Sequence, residues 1–256
     1  MKNIYFLSDA HLGSRALEHT RTQERRLVNF LDSIKERAAA VYLLGDMFDY
    51  WYEFKLVVPK GFTRFLGKIS ELTDRGVEVH FFTGNHDTWC GDYLEKECGV
   101  VVHRHAHTVE LYDKVFFLAH GDECYVRSDF KYRLLRGMLH NRVLQVLFSS
   151  IHPRWSVELG LSWAKHSMMQ HKTLKPVPPF RGEDQEPLVI FAKRYLATHP
   201  SINCFIFGHR HAEFDIPLGD HSRLISLGDW TSLFSYVVYD GEHLFLERFV
   251  EGESRP

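Results

Sequence analysis

No apolar run in this 256-residue chain approaches the ~18 residues that would suggest a membrane-spanning helix. The opening stretch MKNIYFLSDAHLG has one short apolar run, broken at Asp9, and lacks the longer apolar core and small-residue cleavage site of a secretory signal. Cysteine is scarce. Cys90, Cys98, Cys124 and Cys204 show no C-x-x-C spacing, which fits a reduced, intracellular protein better than a disulfide scaffold. A dominant charge is also missing: a formal net charge of -2 gives no overall pull toward nucleic acid or membrane. Internal repeats and low-complexity segments are absent. These absences leave a soluble, cytoplasmic α/β protein of one large domain or two small ones.

Histidine, by contrast, is abundant at 17 residues, too many for all to be ligands, so context has to sort them. The first half alternates strand and helix. NIYFLS reads as a buried strand, TRTQERRLVNFLDSIKERA as a helix with Leu27, Phe30, Leu31 and Ile34 on one face, and AAVYLLGD as a second strand. GFTRFLGKISELTDRG is a second amphipathic helix, and VEVHFFTGNHD a third strand. This β-α-β-α-β order predicts parallel strands with helices outside. VVHRHAHTVELY and KVFFLAHGD read as further strands joined at Asp113, residues 126–175 as helical, and PLVIFAKRYLATH as a helix leading into the strand NCFIFGHRH. Proline-rich residues 172–187 read as a loop. The tail reads as an antiparallel meander with a hairpin at Asp240-Gly241.

Polar residues gather where the apolar strands stop. The ends are Asp9-x-His11, Gly45-Asp46-x-x-Asp49, Gly84-Asn85-His86-Asp87, His120-Gly121-Asp122 and Gly208-His209-x-His211. Each alone has a bland reading as a turn. Ligands of open α/β sheets bind outside the carboxyl ends of strands, so five such ends rich in carboxylate, amide and imidazole predict one site. In FGHRHAEF, strand alternation would aim His209 and His211 to one side, as ligands of one metal or of two. His103, His105 and His107 also share a strand face, but no carboxylate or glycine turn accompanies them. They are read as a solvated face.

The ordered set D-x-H, G-D-x-x-D, G-N-H-D, H, G-H-x-H resembles the calcineurin-like metallophosphoesterase superfamily, from Asp9 to His211. The resemblance implies a four-layer α-β-β-α sandwich and two divalent ions. Asp9, His11, Asp46 and His211 would hold one ion, and Asp46, Asn85, His120 and His209 the other, with Asp46 bridging. It implies that His86 contacts the phosphate and protonates the leaving group, with Asp49 orienting it by a hydrogen bond. Oxygen and imidazole donors without thiolate suit Mn, Fe, Co or Zn, with manganese the first expectation. Asp87 and Asp122 are read as supports of the site or as turn caps.

Residues 126–175 hold nine Lys/Arg against two Asp/Glu, a charge of +7 that leaves -9 on the remainder. Many large apolar residues share this insert. It is expected to be a helical lid (126–175) inserted in a core of residues 1–125 and 176–256. Such a cap suits a ligand with acyl chains and a phosphate, or an anionic inner-membrane surface. Aromatic residues interleaved with the basic ones are few, so no nucleic-acid partner is expected, and no obligate protein partner is inferred. With Gly45-Asp46-Met47-Phe48-Asp49-Tyr50-Trp51, the layout resembles the UDP-2,3-diacylglucosamine pyrophosphatase family of lipid A synthesis. That likeness implies substrate contacts at Asn85, His86, Asp129 and Tyr132, and hydrolysis at the α-phosphorus. His86 stands where well-described members of that family carry arginine. The alternative reading is a soluble nucleotide or other phosphodiester as substrate.

Overall fold

The computed structural model describes residues 1–125, 130–139, 141–174 and 180–251. Two sheets lie face to face. The first half builds most of one sheet: β1 (Asn3–Leu7), α1 (Thr20–Ile34), β2 (Ala38–Leu44), α2 (Thr63–Asp74), β3 (Glu78–Phe82), α3 (Tyr93–Cys98) and β4 (Val101–His103). Strands β1 to β4 run parallel, as the alternating pattern predicts. The second sheet takes β5 (His107–Leu111) and β6 (Lys114–Ala119). A 3-10 turn (Asp122–Tyr125) and three helices follow: α4 (Phe130–Leu139), α5 (Arg142–Ser149) and α6 (Pro153–Leu174). The chain then returns through α7 (Pro187–Leu196), β7 (Cys204–Phe207), β8 (Glu213–Pro217) and β9 (Arg223–Leu227) to the second sheet, and finishes with β10 (Ser235–Tyr239) and β11 (Leu244–Arg248) in the first.

Strand alternation explains the layering. In β1, Ile4 and Phe6 face the space between the sheets, while Tyr5 and Leu7 face α1 to α3. In β7, Cys204 and Ile206 point inward, and Phe205 and Phe207 pack toward α7. Both faces of each sheet are therefore covered, giving helix, sheet, sheet, helix. Burying a side chain such as Phe6 or Phe205 contributes roughly 1.5–3 kcal/mol. Helix α1 buries Leu27, Phe30, Leu31 and Ile34, as its spacing predicts. It also buries Glu24, whose Oε1 accepts from the backbone N–H of Arg64 and Phe65 at 3.1 and 3.3 Å. Those groups open α2 and have no intrahelical partner, so a side chain of one helix caps its neighbour.

Three expectations fail. The single strand expected over residues 101–112 is two strands in different sheets, with Arg104–Ala106 carrying the chain across. The solvated face holds for His105 and His107, which are exposed, but not for His103, which is half-buried: it stacks on Phe82 (4.5 Å between centroids) and lies 3.0 Å from His80. The tail is not one meander, because β9 pairs parallel with β7 while β10 and β11 join the other sheet. The hairpin at Asp240-Gly241 does form, with Asp240 Oδ1 accepting from the N–H of Glu242 and His243. At residues 172–174, where the helical and loop readings overlapped, the helix holds and α6 continues. The short helix α3 has too few residues to show periodicity.

The helical insert is anchored beside the β2 loop. A Cβ added at Gly160 of α6 would sit 2.1 Å from the Tyr50 ring, so only glycine permits this approach. Ser156 and Ala164, one turn to either side, are buried with it. Tyr52 and Trp89 donate to the carbonyls of Gln145 (3.0 Å) and Leu139 (2.6 Å). The outer surface of α4 to α6 is unlike an ordinary exposed face: among the described residues, eight large apolar side chains, including Phe130, Val143, Leu147 and Trp155, are more than half exposed.

Candidate metal centre

Asp9 and His11 follow β1, Asp46 and Asp49 follow β2, Asn85 and His86 follow β3, His120 follows β6, and His209 and His211 follow β7. These strands run parallel within their own sheets, so their carboxyl ends meet at one edge. Backbone bonds stitch the loops together: Asp9 N–H to Gly45 O (3.0 Å), His11 N–H to Asp46 O (2.9 Å), Asp49 N–H to Leu12 O (3.0 Å) and Gly208 N–H to His120 O (2.9 Å). Gly84 lets the third loop close on the second, since a Cβ there would meet Asp46 Oδ1 at 2.2 Å.

Backbone strain is concentrated here. Among the described residues, eight non-glycine residues have positive φ, and Asp9, His11, Asp46, His209 and His211 are five of them. Each left-handed residue costs on the order of 1–3 kcal/mol, a cost that persists where the surroundings dictate the conformation.

The side chains form overlapping groups whose ligand atoms lie within 4.8 Å of one another: Asp9, His11 and His211; Asp46, His120 and His209; and His11, Asp46 and His86. His211 Nε2 lies 3.4 Å from Asp9 Oδ1 and 3.3 Å from His11 Nε2. Asp46 Oδ2 lies 3.3 Å from His120 Nε2 and 3.8 Å from His11 Nε2, between the first two groups. Asn85 Oδ1 is 3.3 Å from His120 Nε2. Asp9 Oδ1 is buried without a hydrogen-bond partner, as expected of an atom oriented toward a cation rather than a proton donor. Carboxylate, amide and imidazole donors, three to four per group and largely buried, fit two divalent ions.

The electrostatics agree. Burial alone would raise Asp46, but the imidazoles of His120, His86 and His11 outweigh it and hold its carboxyl well below the usual range. Burial, and then the neighbouring His120, push His209 down to about 3, keeping it in the neutral form that can offer a lone pair. Burial also disfavours charge on His211, yet Asp9 and Asp229 raise it.

Some residues sit differently from expectation. It is the Asp49 backbone carbonyl that accepts from His86 Nδ1, at 2.9 Å. The Asp49 carboxylate stands 3.8 Å from His86 and 3.3 Å from His11 Nδ1, without hydrogen-bond alignment. Both Asp49 carboxylate oxygens are buried, nearer the His11 ring than the His86 ring, and the two rings pack edge-on at 4.8 Å. Asp87 caps backbone: its carboxylate accepts from the N–H groups of Asp46, Met47, Phe48 and Gly84. Trp51 is core, stacked on Phe48 at 4.3 Å. Asp129 lies outside the described residues, as does the side chain of Tyr132.

Asp229 was missed. It follows β9, and its Oδ2 lies 3.4 Å from His211 Nδ1. The signal was available, since RLISLGD ends a strand with the same Gly-Asp pair as the β2 end.

A model of the calcineurin-like phosphoesterase family matches residues 2–213. A UDP-2,3-diacylglucosamine hydrolase from Porphyromonas gingivalis is 48% identical over 258 residues, covering 98% of both chains. Another, from Neisseria meningitidis serogroup C, is 29% identical over 244 residues, covering 94% of this chain and 96% of its own. Among solved structures, a dimetal phosphatase from Danio rerio aligns at 16% identity and a TM-score of 0.46, covering 96% of this chain and 95% of that one. The family match spans every candidate strand end from Asp9 to His211, and the chain belongs to the calcineurin-like phosphoesterase family.

Proposed function

We propose that this protein hydrolyses UDP-2,3-diacylglucosamine to UMP and 2,3-diacylglucosamine 1-phosphate in lipid A synthesis. The observation that carries this is the 48% identity, over 98% of both chains, to a relative bearing that hydrolase name. Asp9, His11, Asp46 and His211 would hold one divalent ion, and Asp46, Asn85, His120 and His209 the other, both manganese by preference. Two such ions supply an activated water and neutralise charge developing on the phosphoryl oxygens. Asp46, which lies between the two groups of side chains, would be shared by both ions. Water adds at the α-phosphorus and the bond to the β-phosphate oxygen breaks. His86, held by the Asp49 carbonyl, faces the phosphate and hands a proton to the departing 1-phosphate. Asn85 also touches the phosphate, and Asp129 and Tyr132 contact the sugar-lipid half.

Helices α4 to α6 act as the lid of a core formed by residues 1–125 and 176–256. Trp163 of α6 stands 6.1 Å from the His86 ring, so the lid reaches the reacting centre. A groove of about 320 Å³, walled by Phe130, Leu134, Met138 and Leu144 with Arg133 at its edge, suits an acyl chain beside an anionic group. The same exposed apolar and basic surface suits rest on an anionic membrane. Among the described residues no helix is long and apolar enough to cross one.

The test is turnover of UDP-2,3-diacylglucosamine with Mn²⁺, against UDP-glucosamine and simple nucleotides. The acylated compound should be strongly preferred. Equal rates with and without acyl chains would reject the lipid substrate and favour a soluble nucleotide. Asp46→Ala should abolish turnover while the circular dichroism spectrum stays native.

A further inference from the structure

Core residues on either side of the helical insert in the chain pack against the two-histidine loop after β7. Tyr125, the last residue before the insert, packs edge-on against the His209 ring at 5.0 Å between centroids. Glu186, which opens α7 on the return path, meets Arg210 twice: Nε to Oε1 at 2.9 Å and Nη2 to Oε2 at 3.4 Å. The Glu186 side chain is fully buried and the Arg210 side chain is 8% exposed. Arg210 sits between His209 (φ 64) and His211 (φ 53), two left-handed residues in succession around one cation. Its N–H donates to Gly208 O at 2.7 Å, closing the turn.

A buried ion pair is a poor way to gain stability, because apolar residues of similar volume often do as well or better. Its two-pronged geometry does fix direction. Here the fixed object is a strained loop of about three residues that presents one imidazole to each ligand group. We propose that Arg210 is a positioning residue: gripped by Glu186, it holds His209 and His211 in their strained backbone and ties the two-histidine loop to the start of α7. This rests on the metal-centre reading above, but not on the identity of the substrate.

The experiment measures Mn²⁺ binding by the full chain, following the free-ion signal by electron paramagnetic resonance, together with melting of the metal-free protein. Arg210→Met with Glu186→Leu replaces the pair by apolar bulk. The expected result is melting near that of the native chain with Mn²⁺ affinity lower by about 10-fold or more, the usual effect of losing a group that orients a ligand. Native affinity in this double variant would overturn the proposal, since the pair would then be structural only. Should the double variant fail to fold, Arg210→Lys keeps the charge and loses the fork. It should bind Mn²⁺ more weakly than the native chain, and unchanged affinity there also overturns the proposal. Glu183→Gln breaks the exposed neighbouring pair with Lys193 and should leave affinity unchanged. If the native chain bound no Mn²⁺ at all, the metal-centre reading itself would fall, an outcome distinct from any difference between variants.

Discussion

Asp229 reaches His211 Nδ1 with Oδ2 while its carboxylate also builds the turn after β9. Oδ1 accepts from the backbone N–H of Thr231, Ser232 and Leu233 at 2.9, 2.6 and 3.1 Å, building the turn after β9. Oδ2 accepts from the Ser232 hydroxyl at 3.1 Å and faces His211 Nδ1 at 3.4 Å; burial disfavours the charge, but His211 and the turn N–H groups outweigh it and hold the Asp229 carboxyl well below the usual range. A carboxylate behind a ligating imidazole fixes its tautomer and raises its basicity. Asparagine can keep Oδ1 in the turn while replacing Oδ2 by an amide. Asp229→Asn should therefore melt close to the native chain yet bind Mn²⁺ about 10–100-fold more weakly. Calorimetric titration with Mn²⁺ measures it, and native affinity would show that His211 needs no such partner.

Asp87 has no spare oxygen. Oδ1 takes the N–H groups of Gly84 and Asp46, and Oδ2 those of Met47 and Phe48. Asp87→Asn must turn a donor toward two buried N–H groups. The cost of buried groups left without partners is about 1–3 kcal/mol each. The variant should lose stability by roughly that amount or more in urea unfolding, with an unchanged dependence on denaturant. A loss below 0.5 kcal/mol would mean the loops are held by their backbone bonds alone, which is on the order of an ordinary surface change.

These two aspartates mark where the sequence stopped being readable. The ligand-bearing strand ends were legible because each combines a period-two apolar run with polar residues at its stop, and chain order matched a known family. Asp229 shares that grammar but follows a strand whose sheet could not be assigned. The β10 and β11 hairpin signal masked the crossing of the chain between sheets at residues 228–234. Asp87 was visible, but nothing in G-N-H-D says which of four distant N–H groups it caps. The break between Val101–His103 and His107–Leu111 was hidden for a similar reason: alternation continues across it, and only the three-dimensional edge of each sheet separates the halves. Pairings between residues far apart in the chain, such as Glu186 with Arg210 at a separation of 24 positions, leave no periodic trace at all.

Gly160→Ala should act opposite to the usual helix rule. An exposed helical glycine changed to alanine stabilises by roughly 1 kcal/mol. Here the new methyl would overlap the Tyr50 ring, itself only 8% exposed and unable to withdraw freely. The expected outcome is a displaced α6, with Trp163 drawn away from His86. Turnover of the acylated substrate should fall at least several-fold, while hydrolysis of bis-p-nitrophenyl phosphate, which needs no lid, should hold. Equal loss on both substrates would indicate damage to the metal centre instead.

His103 gives the fold an acid-sensitive joint away from the candidate metal centre. Burial, then the charges of His107 and His80, push its pKa from 6.5 down to about 4, and burial lowers His80 as well. Above pH 6.5 the residue is neutral in both folded and unfolded chains and makes no difference. Between about 6.5 and about 4 the unfolded chain takes up a proton that the folded one refuses, so stability falls as pH falls. Below about 4 both forms are protonated and this contribution levels off. Phenylalanine at this position would keep the stacking on Phe82 without the titration. In thermal melts from pH 7 to pH 4, His103→Phe should lose less melting temperature than the native chain, and the two curves should diverge chiefly below pH 6.5. Parallel curves would mean that the ring is solvated when charged and that the junction of the two sheets is not where acid acts.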